Sequence, residues 1–104
     1  MFSLFKSMFS KDDTHLAQIL SEGAFLVDVR SPLEFSAEKV QGSVNIPLDQ
    51  IQNHLDKFKN KKNIVVFCRS GARSSQAKSI LEQNGFGNVT NGGSWQAVAA
   101  LVAK

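Results

Sequence analysis

The sequence of 104 residues contains one cysteine, Cys68, two histidines, and three arginines against nine lysines. A single cysteine excludes an internal disulfide and any multi-cysteine metal site. His15 and His54 have no histidine, cysteine or carboxylate at metal-ligand spacing, so both read as ordinary surface residues and no metal is expected. No apolar run approaches transmembrane length, and no internal repeat is present. The length suits one domain whose core needs no staples. A net charge of +3 and a pI near 9.3 suit small anionic substrates. The run Lys57, Lys59, Lys61 and Lys62 has no interleaved aromatics to stack bases, so it reads as a solvated turn and nucleic acid is not expected as a partner.

Against that background one stretch stands out. Ile64 to Phe67 is a short apolar, largely β-branched run, which predicts a buried strand ending at Cys68. A polar loop with Gly71 follows, and Ala77, Ile80 and Leu81 then take up helical spacing, so a helix is expected from about Arg73 to Asn84 with its stop at Gly85. The thiol is thereby placed at the C-terminal end of a strand beneath a helix N-terminus, where ligand crevices of open α/β sheets lie. Loop amides and the first helical turn have no intrahelical partners and favour a thiolate, as do Arg69 and Arg73. Such surroundings commonly bring a cysteine from about 8.5 to roughly 3.5–7.5. The alternative is a small buried apolar residue closing a strand, and two arginines within five positions weigh against it. Arginine supplies a rigid, always-charged fork suited to oxyanions. Arg69 is expected to be the more exposed of the two and the nearer to substrate, and Arg73 to tie the loop to a carboxylate such as Asp28 as well.

The remaining chain supplies a frame. Residues 1–10 place Phe2, Leu4, Phe5, Met8 and Phe9 on one half of a helical wheel. They lack the apolar centre and cleavage site of a secretory signal, so a cytoplasmic location is expected. The single lysine of their polar face gives little attraction to anionic lipid, which favours packing on the domain or on a partner chain over contact with a membrane. Lys11 to Thr14 reads as a linker ending in a cap. We divide the chain into an extension, 1–12, and a domain, 13–104. Leu16, Ile19 and Leu20 predict a short helix ending at Gly23, and Phe25 to Val29 a buried strand. Ser31 and Pro32 start a helical turn reaching about Lys39, Ser43 to Ile46 form a brief strand, and Asp49 caps a helix with Ile51, Leu55 and Phe58 on one face. Asn88 to Thr90 is a last strand, Asn91-Gly92-Gly93 a turn, and Trp95, Val98, Leu101 and Val102 a closing helix. Asp28 is expected to brace the loop and Arg30 to add to the positive field. Strands alternating with helices predict an α/β fold, a parallel sheet with helices on both faces.

Four segments together resemble the rhodanese (thiosulfate sulfurtransferase) family. They are Leu26-Val-Asp-Val-Arg-Ser-Pro-Leu-Glu-Phe35, Gln41-Gly-Ser-Val-Asn-Ile-Pro47, Cys68-Arg-Ser-Gly-Ala-Arg73 and Asn91-Gly-Gly-Ser-Trp95, in the family's order from about Asp13 onward. Family members often carry a Gly-His pair before the second segment; Glu38-Lys39 stands there here, so no histidine role carries over. The resemblance implies a three-layer rhodanese-like domain in which Cys68 is the nucleophile and the loop Arg69, Ser70, Gly71, Ala72 and Arg73 binds substrate. It also implies a sulfane sulfur carried from thiosulfate or a persulfide donor to a thiol, a protein acceptor or cyanide. No organic cofactor is needed for such a displacement. Spacing bears on the alternatives. Cysteine phosphatases place five residues between cysteine and arginine, whereas four lie between Cys68 and Arg73, and Ser74 stands where the phosphatase arginine would be. The shorter loop should cradle one added sulfur atom better than a tetrahedral oxyanion, which leaves phosphatase or arsenate reductase a poor second. A carrier or docking module on the same fold is the other alternative, kept open by the amphipathic N-terminus.

Overall fold

The computed structural model describes residues 14–103, so the amphipathic stretch at 1–10 and most of the linker after it lie outside the described residues. A helix, α1, covers 14–22. There follow β1 (Phe25–Asp28), α2 (Pro32–Ala37), β2 (Val44–Asn45), a 3-10 segment (Leu48–Phe58), β3 (Ile64–Cys68), α3 (Ala72–Gln83), β4 (Val89–Ser94) and α4 (Trp95–Val102). The strands form one parallel sheet in the order β2-β1-β3-β4.

All five residues of β3 are buried, as expected of a central parallel strand covered on both faces. Its side chains divide by the strand period of two. Ile64, Val66 and Cys68 join Val27, Ile51, Phe58, Ala77 and Leu81 on one face, beneath the 3-10 segment and α3. Val65 and Phe67 join Leu16 and Val98 on the other, beneath α1 and α4. Each fully buried aliphatic or aromatic side chain of this kind contributes roughly 1.5–3 kcal/mol. The two cores hold β3 rigidly, and with it the cysteine at its end.

Three expectations need correction. Asp49 caps nothing: Gln50 N–H already donates to the Pro47 carbonyl at 2.8 Å, so the turn begins earlier and Asp49 lies inside it. The segment is 3-10, not α-helical, and breaks at His54 (φ −131°, ψ 31°), which lets both Ile51 and Phe58 reach the core across two short runs. Asn91-Gly92-Gly93 is not a turn but part of β4, whose register slips so that Val66 faces Asn91 and Phe67 faces Gly93. Gly92 is the extra residue of this bulge. A Cβ there would meet Val98 Cγ2 at 2.8 Å and Val65 Cγ1 at 3.0 Å, so only glycine lets α4 and β3 close upon it. Third, Val98 is buried and Trp95 and Leu101 pack beside it, but Val102 is 37% exposed and closes no core.

Candidate functional site

The edge of the sheet at the C-terminal ends of β1 and β3 gathers the candidate residues. Cys68 is 1% exposed, and the chain leaves β3 through Arg69 and Ser70 to Gly71, which sits at φ +103°, a left-handed conformation natural only to glycine. That conformation turns the Gly71 N–H back onto Cys68 Sγ at 3.0 Å. The Ser74 hydroxyl, from the first turn of α3, lies 3.5 Å from the same sulfur and is itself fully buried. Burial alone would push the Cys68 thiol up. Hydrogen bonds from the Ser74 hydroxyl and from the amides of Ser74, Ser70 and Gly71 outweigh it and hold the thiol below its ordinary value. The amides that act on the sulfur are therefore those of Ser70 and Gly71 and, one residue beyond Arg73, that of Ser74. Ala72 opens α3 and is exposed, as Arg69 and Ser70 are.

The arginines divide differently from expectation. Asp28 does not brace Arg73. It is fully buried and holds Arg30, whose backbone N–H and Nε donate to the Asp28 carboxylate at 2.9–3.0 Å, with Nη2 2.7 Å from Oδ2. In extended chain the two side chains, two residues apart, lie on one side, so the near partner wins over the distant one. Arg30 also donates to the Glu38 carbonyl and lies 5.1 Å from the Trp95 ring centroid. Its charge is spent inside the protein, and it adds little to any external field.

Arg73 instead makes a two-pronged pair with Glu34, Nη1 to Oε1 at 2.8 Å and Nη2 to Oε2 at 3.1 Å. Glu34 is held from its own side as well. Ser31 Oγ accepts from Glu34 N–H while Glu34 Oε1 accepts from the Ser31 amide, a reciprocal cap of α2. The Arg73 guanidinium, followed by the Ser31 amide, holds the Glu34 carboxyl at about 2, well below its ordinary 4.5. Arg73 is raised above its usual value chiefly by Glu34, with a smaller part from the charge of Cys68. Arg69 is exposed and pairs with no carboxylate among the described residues.

Three residues that matter here carried no role in the sequence reading: Glu34, Ser74 and Asn91. The first is signalled by the Ser31-x-x-Glu34 pattern. The other two become visible only when α3 and the β4 bulge are packed together, since Ser74 Oγ lies 2.7 Å from Asn91 Oδ1. Among the described residues no group of three or more His, Cys, Asp or Glu side chains is arranged to hold a metal. What the site offers is one buried sulfur with hydrogen-bond donors on it, followed in the chain by one exposed arginine, an arrangement for an anionic sulfur nucleophile.

Comparison with known proteins bears on what such a site does. Residues 12–100 match the family model of the rhodanese-like domain. The chain is 36% identical over 98 residues to the thiosulfate sulfurtransferase PspE of Escherichia coli (strain K12), covering 88% of this chain and 94% of that protein. It is 35% identical over 82 residues to a sulfurtransferase of Allochromatium vinosum, covering 77% of each. A solved structure described as a rhodanese with anions from E. coli superposes with a TM-score of 0.67 at 35% identity, over 74% of this chain and 93% of that one.

Proposed function

The chain belongs to the rhodanese-like family, and from that premise we propose that it is a sulfurtransferase whose Cys68 carries the transferred sulfur as a persulfide. The reading is supported by two relatives that the chain matches over three quarters or more of its length, both of them sulfurtransferases. The observation that carries the assignment to Cys68 is the Gly71 N–H on its sulfur at 3.0 Å, at the mouth of a strand buried on both faces.

The reaction runs in two displacements. The Cys68 thiolate attacks the outer sulfur of thiosulfate. A Cys68 Sγ–S bond forms, the S–S bond of the donor breaks, and sulfite leaves with the electron pair. A thiolate or cyanide acceptor then attacks the outer sulfur, taking it as a new persulfide or as thiocyanate, and the Cys68 thiolate is restored. No net redox change remains, and a mechanism of this kind is ping-pong. The amides of Ser70, Gly71 and Ser74 stabilise negative charge on sulfur in both the thiolate and the persulfide. Arg69 attracts the sulfonate end of the donor, while Arg73 keeps the loop docked on α2 through Glu34. The domain assigned to this chemistry is 13–104, with 1–12 as an extension before it. Its partners are a small anionic sulfur donor and a thiol or protein acceptor.

Intact-mass measurement after thiosulfate exposure tests the proposal. Wild type should gain about 32 Da, one sulfur atom, and Cys68→Ser none. Loading without steady-state thiocyanate formation would make the protein a carrier. No loading, with hydrolysis of an aryl phosphate instead, would replace the reading by a phosphatase.

A further inference from the structure

Ser74 has more acceptors than protons. Its Oγ lies 2.7 Å from Asn91 Oδ1, 3.1 Å from the Gly71 carbonyl oxygen and 3.5 Å from Cys68 Sγ. A hydroxyl carries a single O–H, so at any moment it serves one of them. The orientation of the Asn91 carboxamide is set independently. Gly93 N–H donates to Oδ1 at 2.9 Å, and Nδ2 donates to the Gly71 carbonyl at 3.2 Å. A flipped amide would set donor against donor at Gly93 and acceptor against acceptor at Gly71. The β4 bulge puts Asn91 in this place, opposite Val66 and one residue ahead of the extra Gly92.

We propose that Asn91 is a positioning residue for the Cys68 nucleophile, tempering its acidity by competing with the sulfur for the one proton of Ser74. While Cys68 is a thiol, its S–H can face the Ser74 oxygen, and the Ser74 O–H donates to Asn91 Oδ1. When the thiol proton leaves to solvent, the Ser74 O–H turns to the thiolate, and Asn91 Oδ1 keeps only the Gly93 N–H. Ionisation therefore breaks a short hydrogen bond to make a longer one, and Asn91 opposes what the loop amides favour. That opposition has a use. A thiol made too acidic loses nucleophilicity as its thiolate fraction saturates, and the best attacking thiol ionises near ambient pH. The use in sulfur transfer rests on the function proposed above, whereas the competition for the proton does not.

The charged groups on the elements around the sulfur are the Glu34–Arg73 pair, of which Arg73 feels the charge of Cys68, the Asp28–Arg30 pair at the end of β1 and the exposed Arg69. His15 of α1 lines the groove shared by Gly71 and Asn91, and α4 brings no charged residue. None of these is altered when Asn91 is replaced by an uncharged residue.

The test is the pH dependence of iodoacetamide alkylation of the full chain. Asn91→Ala should lower the midpoint by about half to one pH unit, the worth of one neutral hydrogen bond expressed as acidity. A loop that was merely loosened would lose the Gly71 amide from the sulfur and raise the midpoint instead. Ser74→Ala should raise the midpoint, and adding Asn91→Ala to it should move it no further. Asn91→Asp, close in shape, should raise the midpoint, which gives a second reading should Asn91→Ala fail to fold. An unchanged or raised midpoint in Asn91→Ala overturns the proposal. So does an equal shift with and without Ser74, or a lowered midpoint in Asn91→Asp. Failure of wild type to load sulfur would defeat the proposed function alone, because the alkylation midpoints need no sulfur donor.

Discussion

Two arginine–carboxylate pairs stand beside the Cys68 loop at different depths. The side chains of Arg30 and Asp28 are 5% and 0% exposed, and those of Arg73 and Glu34 are 35% and 32% exposed. The buried pair is knotted into the sheet. Besides the contacts within it, Asn45 Nδ2 donates to the carbonyls of both Asp28 and Arg30 at 2.9 Å, joining β2 to the end of β1. The outer pair links two helix N-termini, α2 through Glu34 and α3 through Arg73, and water reaches both partners. The inner pair therefore belongs to the frame that fixes the strand ends. The outer one trims the loop that the frame presents.

Removing one partner of each pair sharpens this difference. Arg30→Ala leaves a buried carboxylate without its counter-charge and should cost about 3–5 kcal/mol. In a domain of this size that is a fall in Tm of more than about 10 °C. Calorimetry or thermal denaturation reads it directly. The paired replacement Asp28→Leu with Arg30→Met should recover much of the loss, since well-packed apolar groups can stand in for a buried ion pair. If the double variant is as unstable as Arg30→Ala, the pair does more than satisfy its own charges.

A smaller effect, on donor recognition and not on stability, is expected at Arg69. Its guanidinium is exposed and unpaired among the described residues, whereas that of Arg73 is shared with Glu34. Arg69→Ala should raise the thiosulfate KM roughly ten-fold, and Arg69→Lys by less, because a lysine keeps the charge but not the fork. Equal KM values in the two variants would mean that charge without the fork contributes nothing, and a wild-type KM in Arg69→Lys would make the shape of the guanidinium irrelevant. A larger rise in Arg73→Ala than in Arg69→Ala would make the outer pair a binding element and erase the distinction between loop trimming and donor recognition.

The sequence made the frame legible and left its cross-links hidden, for physical reasons. Ile64 to Cys68 announces a buried strand because burial on both faces demands an uninterrupted apolar run, and Gly71 after it marks a turn that only glycine enters easily. Partner choice is another matter. Asp28 had two arginines within plausible reach, Arg30 and Arg73, and the outcome was decided by the one-sided geometry of extended chain at the end of β1. The 3-10 form of Leu48–Phe58 was invisible because Ile51, Leu55 and Phe58 fit α-helical spacing equally well; the break at His54 is what separates the two. Asn91-Gly92-Gly93 carries turn composition, yet bulged strands use the same residues, and only the approach of Val98 and Val65 to Gly92 shows why. Ser74 gave no signal at all, since a serine in the first turn of a helix is commonplace until a sulfur lies beside it.

The least of the expected effects is the most specific in pH. Glu34 has a folded value near 2 against an ordinary 4.5, so as pH falls the unfolded chain takes up the proton first. The stabilisation by the outer pair is thus fully present above about 4.5, declines below it, and is gone near 2. With both side chains about one-third exposed, solvent screens the pair, and its worth at neutral pH belongs to the range of surface ion pairs, about 0–1 kcal/mol. Glu34→Gln can keep the cap of α2, because a glutamine oxygen still accepts from the Ser31 amide, while it loses the charge that meets Arg73. The stability difference between wild type and Glu34→Gln should therefore be small at pH 7, shrink as pH drops below 4.5, and vanish by about 2. Added salt should reduce it at neutral pH. Denaturant titrations across that range measure it. A difference that stays constant down to pH 2 would mean that Glu34 acts through its shape at the cap and not through Arg73, and the two arginine pairs would then differ in kind as well as in depth.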